Sequence, residues 1–397
     1  DGRLRGEFLQ RMIGEQNFDA LKLLKKTWDP NNIFNPGKIT DAPPMDQNFR
    51  YEAEPVEREI DTVMDFSKDR GILRAAEMCN GSADCRKTQL AGGTMCPSYM
   101  ATREEKDTTR ARANILREAL TNSQATNPFD NEEVKEVMDL CLSCKGCKSE
   151  CPSSVDVTKF KAEFLQHYYD ANGVPLRSKM IAEFTRLSAV ASRFSPLYNL
   201  MFKMPVLSGL VKESIGFASE RSIPKAHFVT LRKWFTKNQG KTVASPSPHA
   251  KKAVYLFCDE FTNYNDVEIG IKAIKLLRTL GYEVIIPKHL ESGRTWLSKG
   301  LLRKAREIAE HNVETFSKLI SEDCPLIGIE PSAILSFRDE YPDLLRGEAQ
   351  TMAKSIAPHT LMLEEFIDRE IKNGHITRDQ FTDKQENIKL HGLSVSQ

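Results

Sequence analysis

The sequence predicts an α+β multidomain protein, in which a helical, cysteine-rich domain precedes an α/β domain built on a parallel sheet. Three observations support this fold class. The length of 397 residues suits two to three domains of ordinary size. Seven of the nine cysteines lie between Cys79 and Cys151. Beyond residue 253, short apolar runs alternate with amphipathic segments, which is the pattern of strands joined by right-handed helical crossovers.

The composition excludes several classes of protein. The 56 basic and 55 acidic residues nearly cancel, so we expect no nucleic-acid partner. No run of about 18 apolar residues is present, and we expect no transmembrane segment. An odd number of crowded cysteines without an export signal favours metal ligation in a reducing compartment, most simply the cytoplasm. Because the chain starts at Asp1 without an initiator Met, we expect it to be a piece of a longer protein.

The N-terminal two thirds are predicted to be mostly helical. Residues 1–41 contain an amphipathic helix at Phe8–Lys26, followed by a turn-rich stretch. A second domain is predicted over 56–237, and its helices, separated by prolines from Pro175 onward, are expected at 57–79, 106–120, 132–140 and within 157–237. Residues 238–252 are rich in Ser, Pro and Gly and are predicted to be a linker.

The last domain, 253–397, is predicted to alternate strands and helices. Strands are expected at 254–258, 283–286, 325–329 and near 388–397, with helices at 267–280 and 301–320 and further helical stretches to about residue 372. Ligands in such folds gather at the carboxyl ends of the strands.

The cysteine spacing carries the chemistry. Cys141-x2-Cys144-x2-Cys147-x3-Cys151-Pro152 is the bacterial ferredoxin pattern, in which three thiolates hold one [4Fe–4S] cluster and the fourth reaches a second cluster. Zinc is the alternative, although zinc sites are usually spaced differently.

A second, incomplete set lies upstream. Cys79 and Cys85 have the spacing of the first and third cysteines of such a run, with Ser82 at the middle position, and Cys96 precedes Pro97. The crossover rule then gives a complete [4Fe–4S] site and a three-thiolate site. The second site is predicted to hold a [3Fe–4S] cluster, a [4Fe–4S] cluster with an oxygen ligand, or nothing. Asp84 is a better oxygen donor than Ser82. The ligands of the complete site are Cys96, Cys141, Cys144 and Cys147, and those of the incomplete site are Cys79, Cys85 and Cys151.

The remaining features have simpler interpretations. Cys258 and Cys324 stand alone and are predicted to pack in the core. Four basic residues near the motifs either offset the charge of a cluster or form a solvated face: Arg110, Arg112, Lys145 and Lys148. The apolar, Met-bearing stretch 184–223 is predicted to pack over the cluster domain, with a membrane surface or a quinone site as the alternatives.

At these motifs the chain resembles a known family. The runs Cys79–Lys87, Gly93–Arg103 and Lys106–Ala113 are similar to the fused FAD-linked oxidase and iron–sulfur proteins that include D-2-hydroxyglutarate and D-lactate-type dehydrogenases. Asp29-Pro30 and Asn35-Pro36-Gly37-Lys38 resemble the end of the flavin oxidase domain. The resemblance implies a flavin domain ahead of Asp1, with Asn35, Gly37 and Lys38 as the remaining cofactor-binding residues and no catalytic residue in this chain.

The resemblance also implies a function. The chain would be the iron–sulfur electron-transfer portion of a flavin-dependent D-2-hydroxy-acid dehydrogenase, passing electrons from FAD to an external acceptor, a quinone or an electron-transfer protein. The alternatives are a subunit of a glycolate, lactate or glycerol-3-phosphate dehydrogenase or of a heterodisulfide-reductase-like complex, and a zinc-stabilised scaffold. Peripheral association with the inner membrane and a homo-oligomer are further expectations.

The tail resembles the first half of a CCG domain, but without its cysteines. Glu291-Ser292-Gly293-Arg294 stands where relatives carry Cys-Cys-Gly-Arg, and Ala333 replaces another cysteine. We therefore expect no third cluster. A salt-bridge network that fixes loops is predicted for the charged residues at the strand ends, which are Glu291, Arg294, Glu330, Arg338 and Asp339.

Overall fold

The structure is a computed structural model that describes residues 3–48, 59–123, 125–238, 252–384 and 387. The chain divides into two compact units, Asp1–Glu59 and Ile60–Gln397. The predicted linker and the predicted fourth strand near residue 390 lie almost wholly outside the described residues. The finer division of the second unit into two domains stays a prediction.

The first unit consists of short helices and a turn-rich segment. Its helices are Arg3–Gly6, Leu9–Ile13 and Glu15–Trp28. The predicted helix is therefore present but broken at Gly14, whose φ of 81° belongs to the left-handed region. After the last helix, the Asp29 carboxylate accepts hydrogen bonds from the backbone N–H groups of Ile33 (2.8 Å) and Phe34 (2.9 Å). These bonds hold the turn that follows.

The cysteine-rich part of the second unit is built from short helices. The predicted helices at 106–120 and 132–140 are observed as Thr109–Asn122 and Glu132–Asp139. Each begins with a capping side chain, because Thr108 and Asn131 accept backbone N–H groups of the first turn. The other helical segments are Ser67–Asp69, Ile72–Glu77, Asp84–Arg86, Gln89–Ala91, Pro97–Thr102, Glu105–Asp107 and Gly146–Glu150.

The predicted helix at 57–79 is largely wrong. Within the described residues 59–79, only Ile72–Glu77 is α-helical, whereas Val63 and Met64 lie in a buried non-helical segment. The fully buried Glu163 carboxylate accepts the N–H groups of Val63 (2.6 Å) and Met64 (2.8 Å). Apolar spacing alone did not reveal this distant acceptor, which satisfies the backbone without a helix.

The next region is helical, and the predicted breaks at the prolines up to Pro205 are confirmed. Its helices are Val157–Asn172, Leu176–Ala182, Phe184–Arg193, Ser195–Lys203, Pro205–Ser214 and Leu231–Lys237. The stretch between Ser214 and Leu231 is not helical, contrary to the prediction.

The predicted parallel sheet is confirmed in part of the second unit. Strands β1 (Ala253–Phe257), β2 (Glu283–Ile285), β3 (Leu326–Gly328) and β4 (Thr360–Met362) lie in the order β2-β1-β3-β4, and every pair is parallel. Strand β4 was missed because it lies inside a stretch that reads as helical. The helices around the sheet are Glu260–Tyr264, Val267–Thr279, Arg294–Ser298, Leu302–Phe316, Pro331–Ile334, Glu340–Leu344, Gly347–Ile356 and Leu363–Lys372. Three 3-10 segments complete the region, at Leu335–Phe337, Ala357–His359 and Arg378–Gln380.

Two apolar cores lie on opposite faces of this sheet. Leu256 and Ile327 face a core that includes Ile274, whereas their neighbours Phe257 and Leu326 face a core shared with the cysteine-rich helices. Successive side chains of a strand point to opposite faces, which explains the division. The strands and helices of residues 253–380, here called the sheet region, thus share one continuous core with the cysteine-rich helices of residues 67–150, here called the cysteine region.

Candidate iron–sulfur site

Four of the predicted ligands line one cavity of about 290 Å³. This four-cysteine cavity is bounded by Cys96, Cys141, Cys144 and Cys147. Cys96 and Cys147 are buried, and the other two are partly exposed. The structure therefore brings together, from segments 45 residues apart or more in sequence, the four thiols that the crossover rule groups.

The other three predicted ligands line a neighbouring cavity of about 260 Å³. This three-cysteine cavity is bounded by Cys79, Cys85 and Cys151, and both Ser82 and Asp84 also line it. Thr109 contributes to the walls of both cavities. The two sets of cysteines thus line adjacent but separate cavities.

The arm that carries Cys96 is fixed from both sides. Cys96 has a left-handed backbone (φ 58°) and directly precedes Pro97, the first residue of the helix Pro97–Thr102. Its sulfur accepts the backbone N–H of Thr109 at 3.0 Å and lies 2.8 Å from the Thr109 hydroxyl. On the other side, the Glu150 carboxylate accepts the N–H groups of Thr94 (2.6 Å) and Met95 (3.2 Å).

The loop that carries the other three cysteines needs an unusual backbone. Ser143 and Lys145 both have positive φ, 54° and 61°. Between Lys145 and Cys147, a Cβ on Gly146 would lie 3.1 Å from the Thr94 hydroxyl and 3.2 Å from the Met95 Cα. Only a residue without a side chain lets this loop approach the Cys96 arm so closely. The Lys161 ammonium donates to the Cys141 carbonyl at 2.8 Å and holds the start of the loop.

Burial favours the neutral form of four of these thiols in the absence of a metal. It raises the pKa of Cys96 to about 11 and raises the pKa values of Cys85, Cys144 and Cys147 above their ordinary value. Metal binding requires thiolates, so loading of these cavities releases protons.

The donor set fits an iron–sulfur cluster. Four sulfur donors surround a cavity, and soft sulfur is the preferred donor for such clusters. Thr158 lines the same cavity, and its buried hydroxyl oxygen has no hydrogen-bond partner within the described part of the chain. Such an orphaned donor suits the sulfur atoms of a cluster. In the ranges that the structure describes, no three His, Cys, Asp or Glu side chains converge on one metal ion.

Two of the four basic residues near the motifs, Arg112 and Lys145, are buried and are therefore not part of a solvated face, whereas Arg110 and Lys148 are partly exposed. Arg112 is 1% exposed and donates to the carbonyl oxygens of Asp107 (2.7 Å) and Val137 (2.9 Å). Lys145 is also buried and lines the four-cysteine cavity. The other alternative, that these residues offset charge, stays a prediction.

The isolated cysteines behave differently. Cys258 is 4% exposed and packs in the second core, as predicted, whereas Cys324 is only partly buried. The side chains of Asn35 and Lys38 face solvent, and Gly37 is partly exposed. None of the contacts that the structure describes tests their flavin role, which stays a prediction.

The charged residues at the strand ends do not form one network. Glu330 caps the helix Pro331–Ile334 by accepting the Ala333 N–H at 2.7 Å, and Arg338 pairs with Glu365 at 2.7 Å. Glu291 accepts a hydrogen bond from Trp296 at 3.0 Å. The other two, Arg294 and Asp339, belong to a network that reaches the cysteine loop and that the spacing of the sequence did not reveal.

Ser292, at the position that resembles a cysteine of the CCG motif, lies in a loop that hydrogen bonds hold. Ser292 is fully buried, and its N–H and hydroxyl donate to the Glu260 carboxylate at 2.9 and 2.6 Å. The Tyr341 hydroxyl donates to the Ser292 carbonyl at 2.8 Å. This loop is thus fixed without a metal.

The stretch after residue 184 is less buried than predicted. Its large apolar side chains do not pack over the cysteine region, so that prediction is wrong for the exposed ones. The exposed side chains are Leu187, Val190, Phe194, Leu197, Leu200, Met204, Val206, Leu207 and Leu210. No helix in the described ranges is both long and apolar enough to cross a bilayer.

Two domain families match the chain. Residues 78–156 match the 4Fe-4S dicluster domain, and residues 1–39 match the C-terminal domain of FAD linked oxidases. In these two segments the chain is similar to iron–sulfur dicluster proteins and to FAD linked oxidases. The predicted cofactor types are thereby confirmed at the level of the domain families.

The chain is similar to curated proteins of two kinds. The chain is 25% identical to D-2-hydroxyglutarate dehydrogenase of Pantoea ananatis over 93% of its own length and 39% of that protein. It is also 25% identical to the Escherichia coli protein of that name, over 85% of this chain and 36% of the relative. It is 26% identical to one subunit of the anaerobic glycerol-3-phosphate dehydrogenase of Escherichia coli, over 52% of this chain and 50% of that relative.

These matches confirm the predicted resemblance to the fused FAD-linked oxidase and iron–sulfur family. The chain spans well under half the length of the first two relatives. No solved structure matches it.

Proposed function

We propose that this chain is the iron–sulfur electron-transfer portion of a flavin-dependent D-2-hydroxy-acid dehydrogenase. The observation that supports this most directly is the pair of adjacent cavities, one lined by four thiols and the other by three. The similarity to D-2-hydroxyglutarate dehydrogenases along most of the chain supports the substrate class. The dehydrogenation itself would take place in a flavin domain that precedes Asp1.

We assign the ligands by cavity. Cys96, Cys141, Cys144 and Cys147 hold a [4Fe–4S] cluster, which stores and passes single electrons. Three thiols hold the second cluster, either a [3Fe–4S] cluster or a [4Fe–4S] cluster with Asp84 or Ser82 as the fourth donor. The three thiols are Cys79, Cys85 and Cys151.

The surrounding residues of the chain orient and shield these ligands. Thr109 donates to the Cys96 sulfur and stands between the two cavities. Arg112, buried beside the four-cysteine cavity, places a positive charge that favours thiolates. Hydrogen bonds to the sulfurs and limited solvent access are the means by which proteins set the potential of such sites.

The experiment is anaerobic reconstitution with iron and sulfide, followed by metal analysis and EPR spectroscopy. We expect a brown protein with iron and acid-labile sulfide, and a [3Fe–4S] signal after mild oxidation if three thiolates hold the second cluster. Cys258→Ser, at a cysteine outside both cavities, is the matched control and should load normally. A colourless protein that binds zinc would contradict the proposal and favour the scaffold.

The sequence ahead of Asp1 would distinguish two candidate functions, which differ in the flavoprotein that donates the electrons. A glycerol-3-phosphate dehydrogenase subunit is the second candidate, because the chain covers half of one subunit of that enzyme from Escherichia coli at 26% identity. A fused flavin domain ahead of Asp1 would favour the D-2-hydroxy-acid enzyme, whereas a separate flavin subunit would favour the second candidate.

We further propose a cytoplasmic protein at the membrane periphery, acting on a quinone or an electron-transfer protein. The support is the exposed apolar surface of Phe184–Arg193, Ser195–Lys203 and Pro205–Ser214, which carries Arg186, Arg193 and other basic residues. Cosedimentation with vesicles containing anionic lipid tests this. Binding that is equal with neutral vesicles, or absent, would contradict it.

We also propose that the protein is a homo-oligomer. Light scattering measures its oligomeric state.

For the tail, we propose that residues 253–397 are a CCG-like domain without its metal ligands. The parallel sheet and the buried Ser292 in place of a cysteine support this. Iron analysis of a variant that lacks all seven predicted ligands should then show no residual cluster.

A further inference from the structure

Two lysines lie within or beside the loop that carries three of the predicted ligands. Lys145 stands between Cys144 and Cys147, and Lys148 follows Cys147. The Lys145 side chain is 8% exposed and lines the four-cysteine cavity. A charge at this position acts through protein and is screened less than a surface charge.

Both lysines are paired with carboxylates that come from almost 200 residues further along the chain. The Lys145 ammonium lies 2.5 Å from the Glu340 carboxylate and also contacts Asp339. Lys148 contacts the same Asp339. Arg294 completes the network by pairing with Glu340. The network therefore joins the sheet region directly to the cysteine loop.

The network occupies the wall between two cavities. Lys145 and Thr158 line the four-cysteine cavity and also a third cavity of about 500 Å³, distinct from the three-cysteine cavity. Asp339 and Glu340 line this third cavity as well. The other charged residues that line this larger cavity are Lys148, Asp156, Lys159, Lys161, Arg294 and Asp343. Of these, Lys159 pairs with Asp343 at 3.1 Å, and Lys148 lies 4.0 Å from Asp156.

We propose that the sheet region, which lacks cluster ligands of its own, sets the reduction potential of the cluster in the four-cysteine cavity through Asp339 and Glu340. The two carboxylates neutralise the charge of Lys145 and Lys148 beside that cavity. They are positioning residues, because they act through the lysines and do not line the four-cysteine cavity. This inference rests on the proposed function, since it requires a cluster in the cavity.

The sign of the effect follows from electrostatics. Reduction adds a negative charge to the cluster, so an uncompensated ammonium nearby stabilises the reduced form. Removing a carboxylate partner should therefore raise the potential, and removing the lysine charge should lower it. A purely structural clamp would change stability or loading but not the potential.

The test is a potentiometric titration of the anaerobically reconstituted protein, followed by EPR. At a fixed solution potential near the midpoint of the unmodified protein, Asp339→Asn should raise the ratio of reduced to oxidised cluster severalfold. A tenfold rise would equal a shift of 59 mV for a one-electron couple. Glu365→Gln is the matched control, since this carboxylate is similarly exposed and pairs with Arg338, and neither residue lines the four-cysteine cavity.

Substitutions of Lys145 test the opposite change in the reduction potential. Lys145→Met should lower the ratio, and Lys145→Arg, which keeps the charge, should restore it toward the original value. If the Asp339→Asn variant does not bind a cluster, the comparison of Lys145→Met with Lys145→Arg still tests the inference. Potentials unchanged in loaded variants would overturn the inference while leaving the proposed function intact, whereas an unmodified protein without iron would remove the proposed function itself.

Discussion

The backbone N–H of Thr109 donates a hydrogen bond to the Cys96 sulfur over 3.0 Å, and Thr109 lines both cysteine cavities. This one residue begins a helix, anchors the ligand that comes from the incomplete upstream motif, and forms part of the wall between the two sites. The contact holds the cysteine of the upstream motif at the cavity that the three downstream cysteines line. It also predicts which cysteine serves which site.

Serine substitutions should separate the two sites. Cys147→Ser should abolish the cluster of the four-cysteine cavity and remove about half of the bound iron, because this buried thiol has no replacement there. Cys85→Ser should spare that cluster and affect only the three-cysteine site. Iron and sulfide analysis with EPR measures both, and the reverse pattern would show that the ligand sets are exchanged.

Removal of the orphaned Thr158 hydroxyl should stabilise the metal-free protein more than the cluster-loaded protein. In the metal-free protein, Thr158→Val should increase the free energy of unfolding by about 1 kcal/mol, since a buried unpaired polar group is costly. After reconstitution the gain should shrink, because the hydroxyl then has sulfur acceptors. Denaturant unfolding of both forms measures this.

The matched control for that experiment is Thr262→Val. The Thr262 hydroxyl is buried and donates to the Asp259 carboxylate at 2.6 Å. Its loss should cost about 1 to 2 kcal/mol in both forms. An equal gain for Thr158→Val in both forms would exclude a contact with the cluster.

Gly300 packs the sheet region against the helix Val157–Asn172. A Cβ there would lie 2.3 Å from the Leu165 Cβ, and the backbone φ is +68°. Gly300→Ala should therefore cost about 3 kcal/mol or more, from overpacking and backbone strain together. Gly374→Ala, with φ +74° and no atom within 4 Å of the added Cβ, should cost only about 1 to 2 kcal/mol. Thermal denaturation of both variants measures this. Equal decreases in melting temperature would show that the helix Val157–Asn172 moves easily to make room for the added methyl group.

Glu260 should make stability depend on pH. Burial raises its pKa to about 8 from an ordinary value of 4.5, with the nearby Asp259 adding to the shift. Between these values the folded protein keeps a proton that the unfolded chain releases, so the free energy of unfolding falls as the pH rises. The slope is at most about 1.4 kcal/mol per pH unit.

Glu260→Gln should flatten this dependence. When Glu260 is protonated, its acid O–H donates to the Ser292 hydroxyl, which reverses the direction of that hydrogen bond. An amide can likewise donate to this hydroxyl and accept the Ser292 N–H. The stability advantage of the variant over the unmodified protein should grow from pH 5 to pH 8. Glu348→Gln, at an exposed carboxyl, should leave the pH profile unchanged. Parallel profiles for all three proteins would show that Glu260 is ionised in the fold.

Local patterns predicted most of the elements. The capped helices at Thr109 and Glu132 and the parallel strands β1 to β3 lie within a few residues of their expected positions. The extended segment at Val63 was missed because its backbone partner, Glu163, is 100 residues away. Spacing within one segment carries no information about such an acceptor.

The site divides in the same way. The motif spacing and the crossover rule predicted the two groups of cysteines that the cavities bring together. They did not predict the contact of Lys145 with Glu340, because that contact depends on how the sheet region packs on the cysteine loop. Long-range charge pairs of this kind follow from tertiary structure alone.

The hydrogen bonds around Ser292 have a consequence for redesign. A cysteine at that position would not by itself create a metal centre, because the new thiol would face the Glu260 carboxyl group in a buried interior. An engineer who wished to install a redox cofactor there would have to replace the acid, the tyrosine and the serine together. A single substitution of Ser292 is therefore not enough.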